Sequence, residues 1–252
     1  MLEQLKYENH LGTVINFGVD GVFVNTSDLH DYEWSATTKG SRIGAFTRAA
    51  TKKTLPIVIV CDTEGEGIDK RNKLFETFEK DVLAVQHGKI IIGDYYFKCY
   101  VTKSTKSDYQ KSERYMSLKL TLLTDFPYWV KEKRFHYAKT TASATLTNSS
   151  LAASNFRLFI NGACTNPSIS IAGHTYRVRC SVGDGETLTI DSTTKQIYTK
   201  QSDGTIINNF NDRDKSSYIF EKIPTGNIAI TKPNNFTLGI VLLDERSEPT
   251  WT

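Results

Sequence analysis

The side chains of this 252-residue sequence that could bind a metal, or act as nucleophile and base, are few and scattered. There are five histidines, His10, His30, His87, His136 and His174, and four cysteines, Cys61, Cys99, Cys164 and Cys180. No H-E-x-x-H or H-x-H spacing places two imidazoles on one ion, and no C-x-x-C pair is present. The cysteines read as buried free thiols, since Cys61 and Cys99 fall within apolar strand patterns. A serine nucleophile would need a G-x-S-x-G elbow, and a phosphate cradle would need G-x-x-x-x-G-K-[ST]; neither occurs. Gly183-Asp184-Gly185-Glu186 lacks the spaced oxygen ligands of a calcium loop and reads as a hairpin turn. Asp191, Asp212, Asp214 and Glu221 could converge as paired carboxylates for glycoside hydrolysis, although most such acids are solvated loop residues. Sugar binding asks for less, an aromatic platform with a few polar groups, and Tyr198, Phe210 and Tyr218 are available for it. The expectation is of no catalytic residue, no metal and no cofactor.

Charge narrows the partners. A net charge of +3 is too small to imply nucleic acid, because phosphate binding gathers Lys and Arg on one face. Three local clusters occur: Arg48 with Lys52 and Lys53; Lys103 with Lys106 and Lys111; Lys131 with Lys133 and Arg134. Each is interleaved with polar or acidic residues and reads as a solvated face. No stretch approaches the roughly 20 apolar residues of a membrane span, and Met1–Lys6 has no leader-like pattern. Synthesis in a cytoplasm and no membrane partner are expected.

The elements that must position these residues are mostly strands. Twelve Tyr and thirteen Phe lean the composition toward sheet. The stretch Gly93–Trp129 dominates: Tyr96–Thr102 and Tyr115–Leu122 alternate as a half-buried antiparallel ribbon, Lys103–Arg114 reads as a long exposed hairpin tip, and Pro127 stops the second strand. Upstream, Leu11–Gly18 and Gly21–Val24 read as a strand pair turned at Asp20-Gly21. Leu29–Thr38 reads as a strand with Tyr32 and Trp34 on one side, Arg42–Arg48 follows a turn, and Leu55–Cys61 reads as a strand buried on both faces. Between Asp62 and Leu83 the period changes. Ile68, Leu74, Phe75, Phe78 and Val82 recur at helical steps, predicting one amphipathic helix that covers a face of the first sheet.

After Trp129 the composition turns small and polar. Short strands are predicted at Ala142–Thr147, Phe156–Ile160, Ser168–Ile171, Tyr176–Cys180, Thr187–Ile190, Gln196–Thr199, Ile228–Thr231 and Phe236–Leu243, separated by Gly- and Asn-containing turns. That spacing predicts a β-sandwich. Two domains follow, an N-terminal β domain with one helix over residues 1–133 and a C-terminal sandwich over residues 134–252.

The aromatic ribbon closing in Asp125-Phe126-Pro127-Tyr128-Trp129 resembles the end of the first domain in the distal tail protein (Dit) family of long-tailed, non-contractile bacteriophages. Independently, Leu242-Leu243-Asp244-Glu245-Arg246-Ser247-Glu248-Pro249-Thr250-Trp251 is similar to that family's charged, Pro-Trp-terminated tail. The resemblance spans nearly the whole chain. It implies a tail-tube-like split barrel followed by a galectin-like sandwich, and a structural virion protein rather than an enzyme. The first domain would form a homo-hexameric ring, single or stacked, that joins the tail tube protein to the tail-tip hub or baseplate proteins and lets DNA pass without reading its sequence. The protein would be assembled in the host cytoplasm and reside at the tail tip. The resemblance also implies structural roles for Phe126, Pro127, Tyr128 and Trp129 at the domain junction. Glu245, Arg246, Pro249 and Trp251 would form a latch returning to the first domain. Some relatives carry sugar-binding modules inserted in loops, and this chain has no room for one. The competing reading is a carbohydrate-binding sandwich acting in adsorption to a host surface.

Overall fold

The computed structural model describes residues 5–19, 21–110 and 115–250, with side chains left undescribed at 64 and 107–110. The chain divides into two compact units, one comprising residues up to Val130 together with those from Arg246 on, the other Lys131–Glu245.

The first unit contains β1 (Leu5–Glu8), β2 (Val14–Asn16), β3 (Val22–Val24), β4 (Ser35–Lys39), β5 (Arg42–Thr47), β6 (Thr51–Val60), α1 (Glu64–Ala84), β7 (Gly88–Ile92), β8 (Tyr95–Gln110), β9 (Tyr115–Thr124) and the start of β10 (Trp129–Tyr137). The strand β8 is shared between two antiparallel arrays. Its first part, Tyr95–Cys99, pairs with β7, which pairs with β1 and then β2. From Tyr100 onward it pairs with β9, which runs beside β6 over all ten residues of that strand, and β3 completes the array. Register shifts between Val101 and Lys103, and between Lys106 and Tyr109, mark bulges that bend β8. The space between the arrays is filled by Tyr7, Leu55, Ile57, Ile59, Ile90, Phe97, Leu118, Leu120 and Leu122, each at most 2% exposed. Each such burial contributes roughly 1.5–3 kcal/mol before the entropy of ordering is subtracted.

Several expectations are corrected here. The ribbon does not end at Thr102: β8 continues to Gln110, so much of the supposed polar tip is ladder, and the remainder, 111–114, lies outside the described residues. The strands either side of Asp20-Gly21 are not partners, since β2 pairs with β1 and β3 with β6. Leu29–Thr38 is not one strand, because only Ser35 onward enters β4. The apolar run Leu55–Cys61 is buried on one face only. Leu55, Ile57 and Ile59 point inward, while Pro56 and Val58 are half-buried and Val60 is 44% exposed.

The helix forms where its periodicity predicts. Thr63 caps it by accepting from the Glu66 N–H, and Glu66 pairs with Lys70 one turn on. Its buried stripe is displaced from the expected one. Leu74, Thr77, Phe78 and Asp81 face inward toward β6 and β8, whereas Ile68 and Val82 are 43% and 40% exposed. The Tyr7 ring meets Phe78 edge-on at 4.8 Å, which turns the helix so that Asp81 takes the inward place predicted for Val82.

The second unit holds the rest of β10 with β11 (Ser143–Asn148), β12 (Asn155–Asn161), β13 (Cys164–Thr165), β14 (Ser168–Ile171), β15 (His174–Arg177), β16 (Ser181–Val182), β17 (Thr187–Asp191), β18 (Gln196–Lys200), β19 (Ile206–Asn208), β20 (Gly226–Thr231) and β21 (Thr237–Arg246). One sheet runs β19-β18-β17-β12-β21-β10 and a second runs β11-β20-β14-β15. Alternate residues of both sheets, among them Leu146, Phe156, Leu158, Ile160, Ile169, Ile171, Leu188, Ile190, Ile230, Leu238, Ile240 and Leu242, form one buried cluster. The period-two pattern read from the sequence is the inward face of this sandwich.

Candidate functional site

The segment after β9 is built by its proline and aromatics. The Thr124 hydroxyl accepts from the Phe126 N–H at 3.0 Å, Pro127 is buried, and β10 begins at Trp129. Trp129 is 1% exposed in the core of the first unit, with its ring 5.3 Å from Phe97 and its indole N–H donated to the Leu29 carbonyl at 3.3 Å. Phe126 and Tyr128 are half-buried with ring centroids 5.3 Å apart.

Tyr128 belongs to a second constellation that the sequence pattern did not isolate. The Arg48 guanidinium lies 5.0 Å from the Tyr128 ring, 5.6 Å from Trp34 and 5.9 Å from Tyr32. Contacts of this kind are worth about 0.5–2 kcal/mol each, rising with desolvation. Its Nη1 is buried and has no hydrogen-bond partner among the described residues, and burial lowers the group's pKa. Beside it opens a cavity of about 360 Å3 lined by Asp31, Tyr32, Glu33, Ser35, Arg48, Ala49, Ala50, Thr51, Lys53 and Pro127. Lys53 is 7% exposed and donates to the carbonyls of Asp28, at 2.8 Å, and Asp31. The expectation that Arg48 and Lys53 are solvated is therefore wrong: rings from distant segments cover one, and loop carbonyls hold the other. Lys133, also expected in solvent, pairs at 3.0 Å with the buried Asp244.

A buried polar group sits under the helix. The Tyr7 hydroxyl donates to Asp81 Oδ2 at 2.5 Å, and the His10 N–H donates to Oδ1 at 2.8 Å, with the His10 ring nitrogen 2.5 Å from the same oxygen. Burial, then the Asp81 hydrogen bond, raises the Tyr7 pKa, so the phenol stays protonated and is a hydrogen-bond donor rather than a base. Gly88 makes room for the pair, since a Cβ there would overlap both the Tyr7 hydroxyl and the Asp81 carboxylate.

In the second unit three of the four candidate acids serve turns and loops. Asp191 accepts from the Thr193 and Thr194 N–H groups, Asp212 from Asn209, and Asp214 from Ser216. The Ser216 hydrogen bonds, helped by Arg179 and Arg177, hold the Asp214 carboxyl below the usual range, the opposite of what a general acid needs. Phe210 and Tyr218 both meet Phe220, at 6.2 and 5.9 Å, with Lys195 over the Tyr218 and Phe220 rings. Tyr198 pairs in the β17–β18–β19 ladder, opposite Thr189 and Asn208. Among the described residues, no cluster of three or more His, Cys, Asp or Glu could hold a metal ion, and no helix is long and apolar enough to cross a membrane. At the chain end, Glu245 accepts from Asn155 at 2.7 Å, Arg246 lies 5.8 Å from the Tyr95 ring, and Pro249 is buried; Trp251 lies outside the described residues.

No protein-family model matches the sequence, and neither does any characterised protein. Solved structures do match. The Dit protein of phage SPP1, described as a paradigm of the hub adsorption apparatus in phages infecting Gram-positive bacteria, aligns with a TM-score of 0.65 at 13% identity, over 96% of this chain and 99% of its own. A chain of the phage P2 baseplate in its activated conformation with calcium aligns with a TM-score of 0.69 at 10% identity, over 99% and 100%. The strontium form of that baseplate gives 0.67 at 10% identity, again over 99% and 100%. Across both of its units, this chain therefore has the mainly β fold of the SPP1 Dit protein.

Proposed function

We propose that this chain is a structural component of a phage tail tip, a distal tail protein that assembles as a hexameric ring between the tail tube and the hub or baseplate proteins. The observation that carries the reading is the fold likeness to tail-hub and baseplate proteins, which runs the length of both units rather than through one common module. A ring of this kind acts by shape. It needs heterologous surfaces that close after six copies and a bore wide enough for DNA, with no base-reading groups. The first unit would form the ring, and Trp129 with its neighbours would anchor the exit of the chain from it. Residues from Glu245 on would act as a latch.

The first unit also offers surfaces on which copies could meet. The outer edge of β6 is occupied: the Val60 N–H donates to Gly21, the Asn25 N–H to Pro56 and the Thr54 N–H to Asp28. Among the described strands β2 and β3 each pair on one side only, and apolar surface is exposed as well. Phe23, Val60 and Tyr115, 40–44% exposed, lie on β3, β6 and β9, and Ile43 and Phe46, 61% and 57% exposed, stand on the β4–β5 hairpin. These are the candidate contacts between copies. Net charge would not oppose assembly, because the chain before Lys131 carries seventeen basic and seventeen acidic residues.

The test is native mass spectrometry and light scattering of the full chain across concentration, alone and with its tube or hub partner, followed by electron microscopy of the largest species. A hexameric ring is the expected result. A monomer under every condition, partner included, would overturn the reading.

A further inference from the structure

We propose that the free edge of β2 takes an extended segment of a partner protein, added as a further strand, in which an apolar residue and an acidic residue stand two positions apart. The backbone carries the first part of the argument. Hydrogen bonds from the Phe17 N–H to Leu5 and from the Asn9 N–H to Thr13 bracket the Tyr7–Ile15 pair. The N–H and C=O of Ile15 therefore face β1, and those of Val14 and Asn16 face away from it. No strand pairs on that side, and none of these four outward groups has a hydrogen-bond partner among the described residues. Such an edge is a template for one more strand.

Side chains carry the second part. Beside the edge lies a cavity of about 200 Å3, bounded by β2, by Val22 at the start of β3 and by the helix. Ile15, Val22 and Leu74 line it with apolar surface, and it is smaller than the roughly 300–1,000 Å3 usual for a whole ligand, so it suits one large side chain. Its two charged lining residues, Lys70 and Lys73, have the same sign. Lys70 is already paired with Glu66 at 2.6 Å, whereas the Lys73 ammonium has no ion-pair or hydrogen-bond partner among the described residues. Side chains on one face of a strand recur at every second residue. A segment that seats an apolar residue in the cavity thus presents the residues two positions away to the same side, where Lys73 favours Asp or Glu. A basic segment would be repelled, and a free sugar or cation would use neither the open ladder nor the apolar lining. This inference does not depend on ring formation.

The experiment uses the full chain and blocked pentapeptides: one with Leu and Glu two apart (Thr-Leu-Thr-Glu-Thr), one with them adjacent (Thr-Thr-Leu-Glu-Thr), and one with Lys in place of Glu in the first. Hexanoate is the small-molecule control. The spaced peptide should bind with a dissociation constant of ~1–5 mM, and at about 10 mM it should slow amide hydrogen exchange at Val14 and Asn16 by about three- to elevenfold. Val14→Pro removes an edge N–H that β1 does not use, and should abolish the protection of Asn16. Lys73→Glu, at an exposed position, should weaken the Glu peptide about fivefold and strengthen the Lys peptide. The proposal is overturned if the spaced peptide fails to bind at about 10 mM, if the adjacent peptide or hexanoate binds as well as it does, or if binding leaves both amides unprotected. It is also overturned if protection rises with protein concentration alone, which would make the occupant a second copy of this chain. Should Val14→Pro fail to fold, Lys73→Glu and the exchange map of the native chain decide the matter.

Discussion

Replacing Trp129 with alanine tests how the first unit is held together. The side chain is 1% exposed, so truncation removes nearly all of a large buried ring, its contact with Phe97, and the donor to Leu29. Large-to-small changes of this kind cost about 3–5 kcal/mol, depending on how far the site can collapse. Two neighbours limit collapse: Phe97 lies on a strand hydrogen-bonded to β7, and the Leu29 carbonyl loses its partner. At about 2–4 °C per kcal/mol, the first unit's melting temperature should fall by roughly 6–20 °C. Trp129→Phe separates the contributions. It keeps a ring but loses the N–H, and should cost less, on the order of 1–3 kcal/mol, from the missing hydrogen bond and the smaller volume. Calorimetry on the full chain is the assay, because it resolves two transitions if the units melt separately. A Trp129→Ala change below about 1 kcal/mol, or a Trp129→Phe effect as large as that of Trp129→Ala, would refute the packing reasoning.

Other perturbations have equally definite outcomes. Gly88→Ala should destabilise by about 1–3 kcal/mol because the methyl collides with the Tyr7–Asp81 pair, and in a Tyr7→Phe background its penalty should shrink; a double-mutant cycle in urea measures this. Val85 closes the helix at φ 52, a conformation costly for a β-branched residue, and is 77% exposed, so Val85→Gly should raise stability by roughly 0.5–1 kcal/mol in the same assay. Burial pushes the Cys99 thiol up to about 12 from 9.0. The unfolded thiol therefore ionises first, and this contribution, complete below pH 9, is lost as pH rises from about 9 toward 12, by at most about 1.4 kcal/mol per pH unit. Urea midpoints between pH 7 and 10.5 should fall less steeply for Cys99→Ala than for the native chain; equal slopes would show the thiol uninvolved.

What the sequence by itself determined was local and periodic. Alternation along Tyr96–Thr102 and Tyr115–Leu122, and along most of the short strands after Phe156, was legible because a pleated strand shows alternate residues to the core whatever lies beyond it. The helix was legible because its period is written in nearby positions of one segment, whereas its cap, Thr63, was not singled out. Tertiary structure decided which strand pairs with which. Asp20-Gly21 carries a hairpin signal, yet β6, distant in sequence, offers β3 a partner and β1 claims β2. It also decided the helix's rotation about its axis, because Phe78 packs on Tyr7 and draws Asp81 inward, and nothing within the helix specifies a ring on another strand. The cavity beside Arg48 was invisible for the same reason. Tyr32, Trp34, Arg48 and Tyr128 share no pattern in sequence, and they come together only when long-range pairing of β6 with β9 brings the start of one strand beside the end of the other.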